Sequence, residues 1–275
     1  MRSKIKFNMK KLLYLFGLLF TASIIFTSCN RNEQVVEITH NKFTILPNGL
    51  GSEYTIIYHI FDTNADGPNF AIIAGVHGPE EAGWLAALHI VENFDFSQGR
   101  FLIIPKVSPT AIEARNRYTA GYDLNRQFPG CSDGNTAQRV AAAVTEVLKN
   151  FEPDVIIDLH EARLGSDWES SQALVNTIIY STLNPYTTEL AREAVIFAVN
   201  AINDTYLIDC NRPFRPLGGA GSHGTTHREF SVKFNVPSFI TETGRPDGGQ
   251  YNPIDLRVQQ QLFLVNALVY FFLKQ

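Results

Sequence analysis

A histidine and a glutamate three residues apart stand where an apolar stretch of the chain ends. The stretch 71–76 is mostly apolar, His77 follows it directly, and Glu80 comes three residues later. This pattern predicts a buried strand that turns into a helix, and both side chains can then face the same side of the corner and reach one zinc ion. The pattern alone is common, and His77 could simply end a strand.

A second histidine ends another apolar stretch. Residues 155–157 read Val-Ile-Ile, and Asp158 and His160 follow. Because side chains alternate along a strand, Asp158 and His160 share a face, where the carboxylate can orient the imidazole of a metal ligand. An ordinary strand-end salt bridge is the alternative. Two histidines that each end a separate apolar strand favour a shared metal site.

A turn-rich loop between these two strands contains three side chains that could bind a carboxylate. Arg117, Asn125 and Arg126 lie in the stretch 116–130. A guanidinium group offers a planar pair of donors to a carboxylate, and a side-chain amide adds another donor. The loop therefore suits a substrate with a free carboxylate, although arginine contacts that only stabilise the loop fit this pattern equally well.

Glu242 ends a third short apolar stretch, and its type suits acid–base chemistry. A carboxylate in that position could accept a proton from water beside a metal ion. A lone glutamate at a strand end is usually a solvated charge, so this role depends on the other motifs.

A competing metal pair is His223 and His227, whose four-residue spacing fits a helix. The glycines around them favour a loop, which leaves a substrate-facing loop or surface histidines.

Taken in order, these motifs resemble the zinc carboxypeptidase superfamily, and within it the succinylglutamate desuccinylase and aspartoacylase branch. The resemblance extends from about residue 70 to residue 245 and runs over His77-Gly-Pro-Glu80, Arg117-Tyr118, Asp123-Leu-Asn-Arg-Gln-Phe-Pro-Gly130, Asp158-Leu-His-Glu161 and Thr241-Glu242. It implies that one zinc ion is bound by His77, Glu80 and His160. It also implies catalytic roles for Glu242 as general base and Arg117 as carbonyl polariser, and carboxylate binding by Asn125 and Arg126.

The implied reaction is zinc-dependent hydrolysis of an amide bond next to a carboxylate-bearing group, by a carboxypeptidase or by an N-acyl amino acid deacylase. The substrate would be a small molecule or a peptide with a free carboxylate. Only 33 residues follow Glu242, whereas the deacylase branch carries a further β-rich domain that narrows its site. A more open site is therefore expected, and with it a peptide-like or cell-wall-derived substrate. The alternative is a membrane-tethered binding lipoprotein that keeps the fold without catalysis.

The elements that must position these residues alternate along the chain. The strand-like stretches are Tyr54–Phe61, Phe70–Ala74, Phe101–Pro105, Val155–Leu159, Leu174–Tyr180 and Ser238–Thr241, and the helical stretches are Glu80–Asn93, Thr136–Asn150, Thr187–Asn203 and Ile254–Leu273. This alternation predicts a single-domain α/β fold with a mixed, mostly parallel twisted sheet and helices on both faces. Two stretches, Arg212–Gly224 and Gly244–Pro253, are rich in Gly or Pro and predict long loops. The last helix is very apolar, but Asn266 interrupts it, which favours packing in the core over a membrane span.

The first 28 residues have the features of an export signal. Basic residues precede the apolar run Leu12–Phe26, and small residues lead to Cys29. This order resembles a bacterial lipoprotein signal, which predicts a lipid on Cys29 and an exported protein tethered to a membrane of the cell envelope. Residues 29–50 are polar and predict a spacer, so that the zinc hydrolase domain would span residues 51–275.

Charge and cysteine content narrow the remaining classes. Residues 1–28 hold five of the 23 Lys and Arg residues and none of the 27 Asp and Glu residues, so the rest of the chain carries a formal charge of about −9. This acidic balance argues against a nucleic-acid partner. Cys131 and Cys210 are far apart in sequence, so their pairing stays open, and isolated buried thiols are favoured.

Overall fold

The computed structural model describes residues 38–163, 174–207, 212–245 and 253–275. The elements below all belong to one compact unit, Val36–Gln275. The predicted export signal and Cys29 lie outside the described residues, as does Cys210.

Eight strands of the described residues form one mixed sheet. In chain order they are β1 (Thr39–Ile45), β2 (Ile56–Asp62), β3 (Asn69–Ala74), β4 (Arg100–Ile104), β5 (Val155–Arg163), β6 (Thr177–Ser181), β7 (Arg215–Gly219) and β8 (Ser238–Arg245). Their order across the sheet is β1-β2-β4-β3-β5-β8-β6-β7. The pairs β4 with β3, β3 with β5, β5 with β8 and β6 with β7 are parallel, and the other three pairs are antiparallel. The predicted mixed, mostly parallel sheet is confirmed.

Helices cover both faces of this sheet. Within the described ranges they are α1 (Glu81–Glu92), α2 (Pro109–Glu113), α3 (Thr136–Phe151), α4 (Thr188–Asn203), α5 (Thr226–Phe234) and α6 (Ile254–Phe272). Apolar side chains of α3 and α5 join alternate residues of the central strands in a buried cluster on one face. Helix α6 packs against both α1 and α4 on the other face. This layering leaves the carboxyl ends of the parallel strands open for a site.

Local sequence explains where helix α3 begins and how closely helix α1 packs on the sheet. Asn135 caps α3, because its side chain accepts the Gln138 N–H while the Gln138 side chain accepts the Asn135 N–H. On α1, a Cβ atom at Gly83 would lie 2.4 Å from the carbonyl oxygen of Leu159, so only glycine allows this helix to approach β5 so closely.

Helix α6 is the core helix that its sequence predicted. Most of its residues are buried against α1 and α4. Among the helices described, none combines the length and the apolar character that crossing a membrane requires.

Several segments correct the predictions made from sequence. Strand β1 lies within the predicted spacer 29–50 and pairs with β2, although its side chains are almost all exposed and so show no apolar pattern. The predicted loop Arg212–Gly224 contains β7, a Gly- and Pro-containing strand that pairs with β6 at the edge of the described sheet. His227 lies in helix α5 and not in a loop. Cys131 is a free and exposed thiol, where a buried one was expected.

Candidate functional site

Three predicted metal ligands meet at the carboxyl edge of the central strands. His77 follows β3, Glu80 immediately precedes α1, and His160 lies on β5, which pairs in parallel with β3. One ligand atom from each residue lies within 4.8 Å of the other two, and all three residues are buried. The Nδ1 atoms of the two histidines lie 2.7 Å from the Glu80 carboxylate, one on each oxygen. This cluster could hold a metal ion.

The outer nitrogen of each histidine is held by an aspartate. His160 Nε2 donates to Asp158 Oδ2 at 2.7 Å, and His77 Nε2 donates to Asp123 Oδ1 at 2.9 Å. Such hydrogen bonds orient metal-binding imidazoles and increase their basicity. The alternation of β5 predicted the contact of Asp158. The contact of Asp123 was missed, because it comes from a loop whose course no sequence pattern shows.

The charges of this cluster shift the pKa values of its members. Burial would raise the pKa of Glu80, but His77 and His160 beside it hold that pKa well below its usual range. Burial would lower the pKa of His160, but Asp158 and Glu80 raise it well above its usual value. The cluster is therefore an ion-paired network in which a metal ion must displace a proton.

Glu242 lies directly beside this cluster. It is the register partner of His160 in the parallel pair β5 and β8. The residue is buried, and its Oε2 has no hydrogen-bond partner among the described residues. Burial raises the pKa of Glu242 to about 8, although His160 opposes this effect. A buried carboxyl group beside the cluster, with an oxygen that no described residue occupies, is suited to exchange a proton with a ligand in the cavity.

Arg117 is anchored between the metal cluster and the loop that follows it. Its Nη1 donates to Glu80 Oε1 at 3.3 Å, and its Nη2 and Nε donate to Asp123 Oδ2 at 3.1 and 3.3 Å. Asp123 therefore holds both a predicted ligand, His77, and the predicted carbonyl polariser. The Arg117 side chain stays 41% exposed, so part of the guanidinium group remains accessible from the cavity.

Asn125 and Arg126 line the same cavity, which has a volume of about 1140 Å³. They belong to a short 3-10 turn, Leu124–Arg126. Asn125 Oδ1 accepts the backbone N–H of Thr226 at 3.0 Å, which leaves the amide group of Asn125 as a donor. Arg126 Nη1 donates to the carbonyl oxygen of Asn125 at 2.5 Å. The structure thus brings both predicted carboxylate binders to the cavity that holds Glu242.

The two histidines of the glycine-rich stretch have different surroundings. His227 lies in the first turn of α5, is 4% exposed and lines the cavity. The side chain of His223 is 89% exposed and interacts with Arg228 and Glu229 at the surface. The sequence did contain a signal for helix α5. Phe230 and Phe234 are four residues apart, and asparagine is a residue that often ends a helix. In the structure Asn235 ends α5 with a left-handed φ of 58°.

Glu161 stands in a motif that the sequence analysis identified, but its role in positioning its neighbours was not predicted. Its Oε2 accepts the N–H of Ala82 at 2.9 Å in the first turn of α1, and its Oε1 is paired with Arg257 of α6. Its own backbone N–H donates to Glu80 Oε2 at 3.2 Å. Glu161 thereby fixes the start of α1 and the Glu80 side chain. Its partner Arg257 is 96 residues away, so no local pattern could show the pair.

Comparisons with known proteins agree with this geometry. The pattern of the Succinylglutamate desuccinylase/Aspartoacylase catalytic domain matches residues 66–261. Over 99 residues the chain is 34% identical to the N-alpha-acetyl-L-2,4-diaminobutyric acid deacetylase of Halomonas elongata. This aligned segment covers 34% of this chain and 29% of that protein. The alignment thus spans less than a third of the curated relative's length.

Two of the solved structures that share the fold illustrate the likeness. The product-bound ectoine utilization protein EutE (DoeB) of Ruegeria pomeroyi has a TM-score of 0.61 and 20% identity, with 85% of this chain and 67% of that chain covered. The tripeptide-bound cell shape determinant Csd4 of Helicobacter pylori has a TM-score of 0.63 and 12% identity, with 86% and 55% covered. The match of the catalytic-domain pattern over residues 66–261 shows that the chain belongs to the succinylglutamate desuccinylase/aspartoacylase family.

Proposed function

We propose that this protein is a zinc-dependent hydrolase that cleaves the amide bond of an N-acyl amino acid with a free carboxylate. The observation that carries the proposal is the meeting of His77, Glu80 and His160 beside the buried Glu242. The family and the relative named as a deacetylase of N-alpha-acetyl-L-2,4-diaminobutyric acid favour a deacylase over a carboxypeptidase.

The donor set of the cluster fits zinc. Two imidazole nitrogens and one carboxylate oxygen are typical ligands of catalytic zinc, and three protein ligands leave one position open. The two imidazoles are also fixed from behind by Asp158 and Asp123, as zinc-binding histidines commonly are. A zinc ion bound there would act as a Lewis acid toward the scissile carbonyl and the attacking water.

The surrounding side chains supply the remaining steps. Glu242 takes a proton from the attacking water and delivers it to the nitrogen of the departing amine, so that the amide bond breaks into an acid and a free amine. Arg117 donates to the carbonyl oxygen while negative charge develops on it. Asn125 and Arg126 bind the carboxylate of the substrate and so fix the amide next to Glu242.

The lining of the cavity supports a substrate with a carboxylate. Five arginines line it, namely Arg115, Arg117, Arg126, Arg163 and Arg245. Three glutamates, Glu80, Glu161 and Glu242, line it as well, so positive side chains are in excess and favour a ligand of negative charge. The cavity volume of about 1140 Å³ exceeds the roughly 300–1,000 Å³ that is usual for small-molecule sites, so short peptides belong in the test.

The test is an assay of the zinc-loaded protein against N-acyl amino acids and short peptides, with products identified by mass spectrometry. The proposal expects free amino acids to be released from the N-acyl substrates. Cleavage of peptides alone would show that the protein is a carboxypeptidase and not a deacylase. If the protein binds zinc but turns over neither class, the binding-lipoprotein alternative holds.

Two variants separate catalysis from metal binding. Glu242→Gln should lower kcat by roughly 10²- to 10⁴-fold because the proton acceptor is lost, with zinc content unchanged. His77→Ala should lose the zinc itself, which metal analysis detects. Full activity of Glu242→Gln would refute the role of this residue.

We also propose that the protein is exported and held at a membrane of the cell envelope by a lipid on Cys29. The order of basic, apolar and small residues before Cys29 supports this proposal. Cys29→Ser should abolish incorporation of labelled fatty acid and move the protein out of the membrane fraction. Unchanged labelling would refute it.

A further inference from the structure

His227 is a buried histidine that the proposed reaction leaves unused. It lines the cavity together with Asn125 and Arg126. Neither its Nδ1 nor its Nε2 has a hydrogen-bond partner within the part of the chain that the structure describes. Buried polar atoms are normally paired, so two unpaired nitrogens in a cavity wall indicate that a ligand provides the missing partner.

The surroundings of His227 hold its ring at the cavity wall. The preceding residue, Thr226, donates its backbone N–H to Asn125 Oδ1 at 3.0 Å and its hydroxyl to Asp158 Oδ2 at 2.6 Å. On the other side, a Cβ atom at Gly221 would lie 2.4 Å from His227 Nε2, and this glycine has a φ of +69°. The backbone around the ring is thus fixed, and glycine leaves the space that the ring occupies.

The imidazole of His227 is neutral in these surroundings. Burial, together with the positive charges of His160, Arg126 and Arg228, lowers the pKa of His227 to about 4. A neutral imidazole offers one N–H donor and one acceptor nitrogen. A carboxamide has a donor and an acceptor as well, so it can pair with the ring, whereas the positive neighbours disfavour an amine.

The carboxylate binders indicate which part of the substrate meets this ring. The α-carbon of an N-acyl amino acid carries the carboxylate, the acylated nitrogen and the side chain. In the proposed function the acyl carbonyl lies at the metal cluster and Arg117, and the carboxylate lies at Asn125 and Arg126. The side chain is then the group that remains to meet His227, which lines the same cavity. We propose that His227 is a specificity-determining residue that selects N-acyl amino acids with an uncharged, hydrogen-bonding side chain. This inference rests on the proposed function and names the substrate class within it.

The test compares substrates of nearly equal shape that differ in polarity. The pairs are N-acetylasparagine with N-acetylleucine and N-acetylglutamine with N-acetylmethionine. His227→Phe keeps a ring and removes both polar atoms. It should lower kcat/KM for the two amide substrates by roughly 5- to 30-fold, mainly through KM, because one or two hydrogen bonds are lost. The values for the leucine and methionine substrates should change by less than about 3-fold.

Two further variants serve as controls. His227→Gln keeps a donor and an acceptor and should restore part of the preference for amide side chains. His223→Phe changes a histidine of the same stretch that is exposed, and it should leave all four substrates unaffected. Zinc content and thermal melting are measured for each variant, so that a folding defect is recognised.

The outcomes separate this inference from the proposed function. If His227→Phe lowers kcat/KM equally for all four substrates, or changes none of them, the inference is overturned while the deacylase activity stands. If the wild-type protein cleaves no N-acyl amino acid, the proposed function is overturned and the inference with it.

Discussion

Replacing Asp158 by asparagine should weaken zinc binding without abolishing it. Asp158 is fully buried and accepts hydrogen bonds from His160 Nε2 at 2.7 Å and from the Thr226 hydroxyl at 2.6 Å. A short hydrogen bond to a charged group contributes about 1.5–3 kcal/mol. Since the asparagine keeps the shape but loses the charge, zinc affinity should fall roughly 10- to 100-fold.

The other aspartate provides a matched comparison. Asp123 holds the outer nitrogen of His77, as Asp158 holds that of His160, but it also accepts two hydrogen bonds from Arg117. Asp123→Asn should therefore lose zinc affinity to a similar degree and in addition lose rate. With excess zinc, Asp158→Asn should recover a kcat near the wild-type value. Asp123→Asn should stay lower by up to about 100-fold, because a misplaced Arg117 no longer meets the carbonyl oxygen.

The two effects are measured separately. Competition with a chelator at fixed pH gives the Kd for zinc, and initial rates at excess zinc give kcat. Wild-type zinc affinity in Asp158→Asn would show that this carboxylate does not support the ligand. Equal kcat values for the two variants at excess zinc would show that Asp123 does not anchor Arg117.

Two further predictions concern stability. In the metal-free protein, burial raises the pKa of Glu242 from its ordinary 4.5 to about 8. Between these pH values the folded state binds more protons than the unfolded state, so the stability of the fold should decline as the pH rises. Urea titrations should show a flatter decline for Glu242→Gln, and an unchanged slope would contradict this assignment. Arg257→Met leaves Glu161 buried and unpaired and should cost about 3–5 kcal/mol of unfolding free energy. Arg192→Met breaks an exposed pair with Glu189 and should cost nothing measurable in the same titration. Equal losses of unfolding free energy in the two variants would mean that burial of the Arg257–Glu161 pair is unimportant.

The metal cluster could be predicted from sequence because its geometry follows from strand ends. His77 and His160 each end an apolar stretch, and the carboxyl ends of parallel strands meet at one edge of a sheet. The position of Asp158 followed from alternation along the same strand. Asp123 could not be predicted, since its contact with His77 depends on the path of a loop between two elements.

Strands β1 and β7 were not predicted from the sequence, for a different reason. Strand β1 is exposed along nearly its whole length, so its place in the sheet depends mainly on backbone pairing with β2. Strand β7 is an edge strand with two glycines and a proline, which are residues that strands usually disfavour. Both strands exist because a neighbouring strand offers unpaired backbone groups, and such pairing leaves little trace in a sequence.

Helix α6 is far along the chain from the candidate ligands, yet two of its side chains, one turn apart, hold the metal cluster in place. Arg257 pairs with Glu161, whose backbone N–H donates to Glu80. Gln261 donates to the carbonyl oxygen of His160 at 2.6 Å, which fixes the end of β5 where this ligand lies. Two of the three candidate ligands thus depend on contacts with α6. Because ligand positions must be held to a fraction of an ångström for metal binding, this helix is part of the framework of the site and not only of the core.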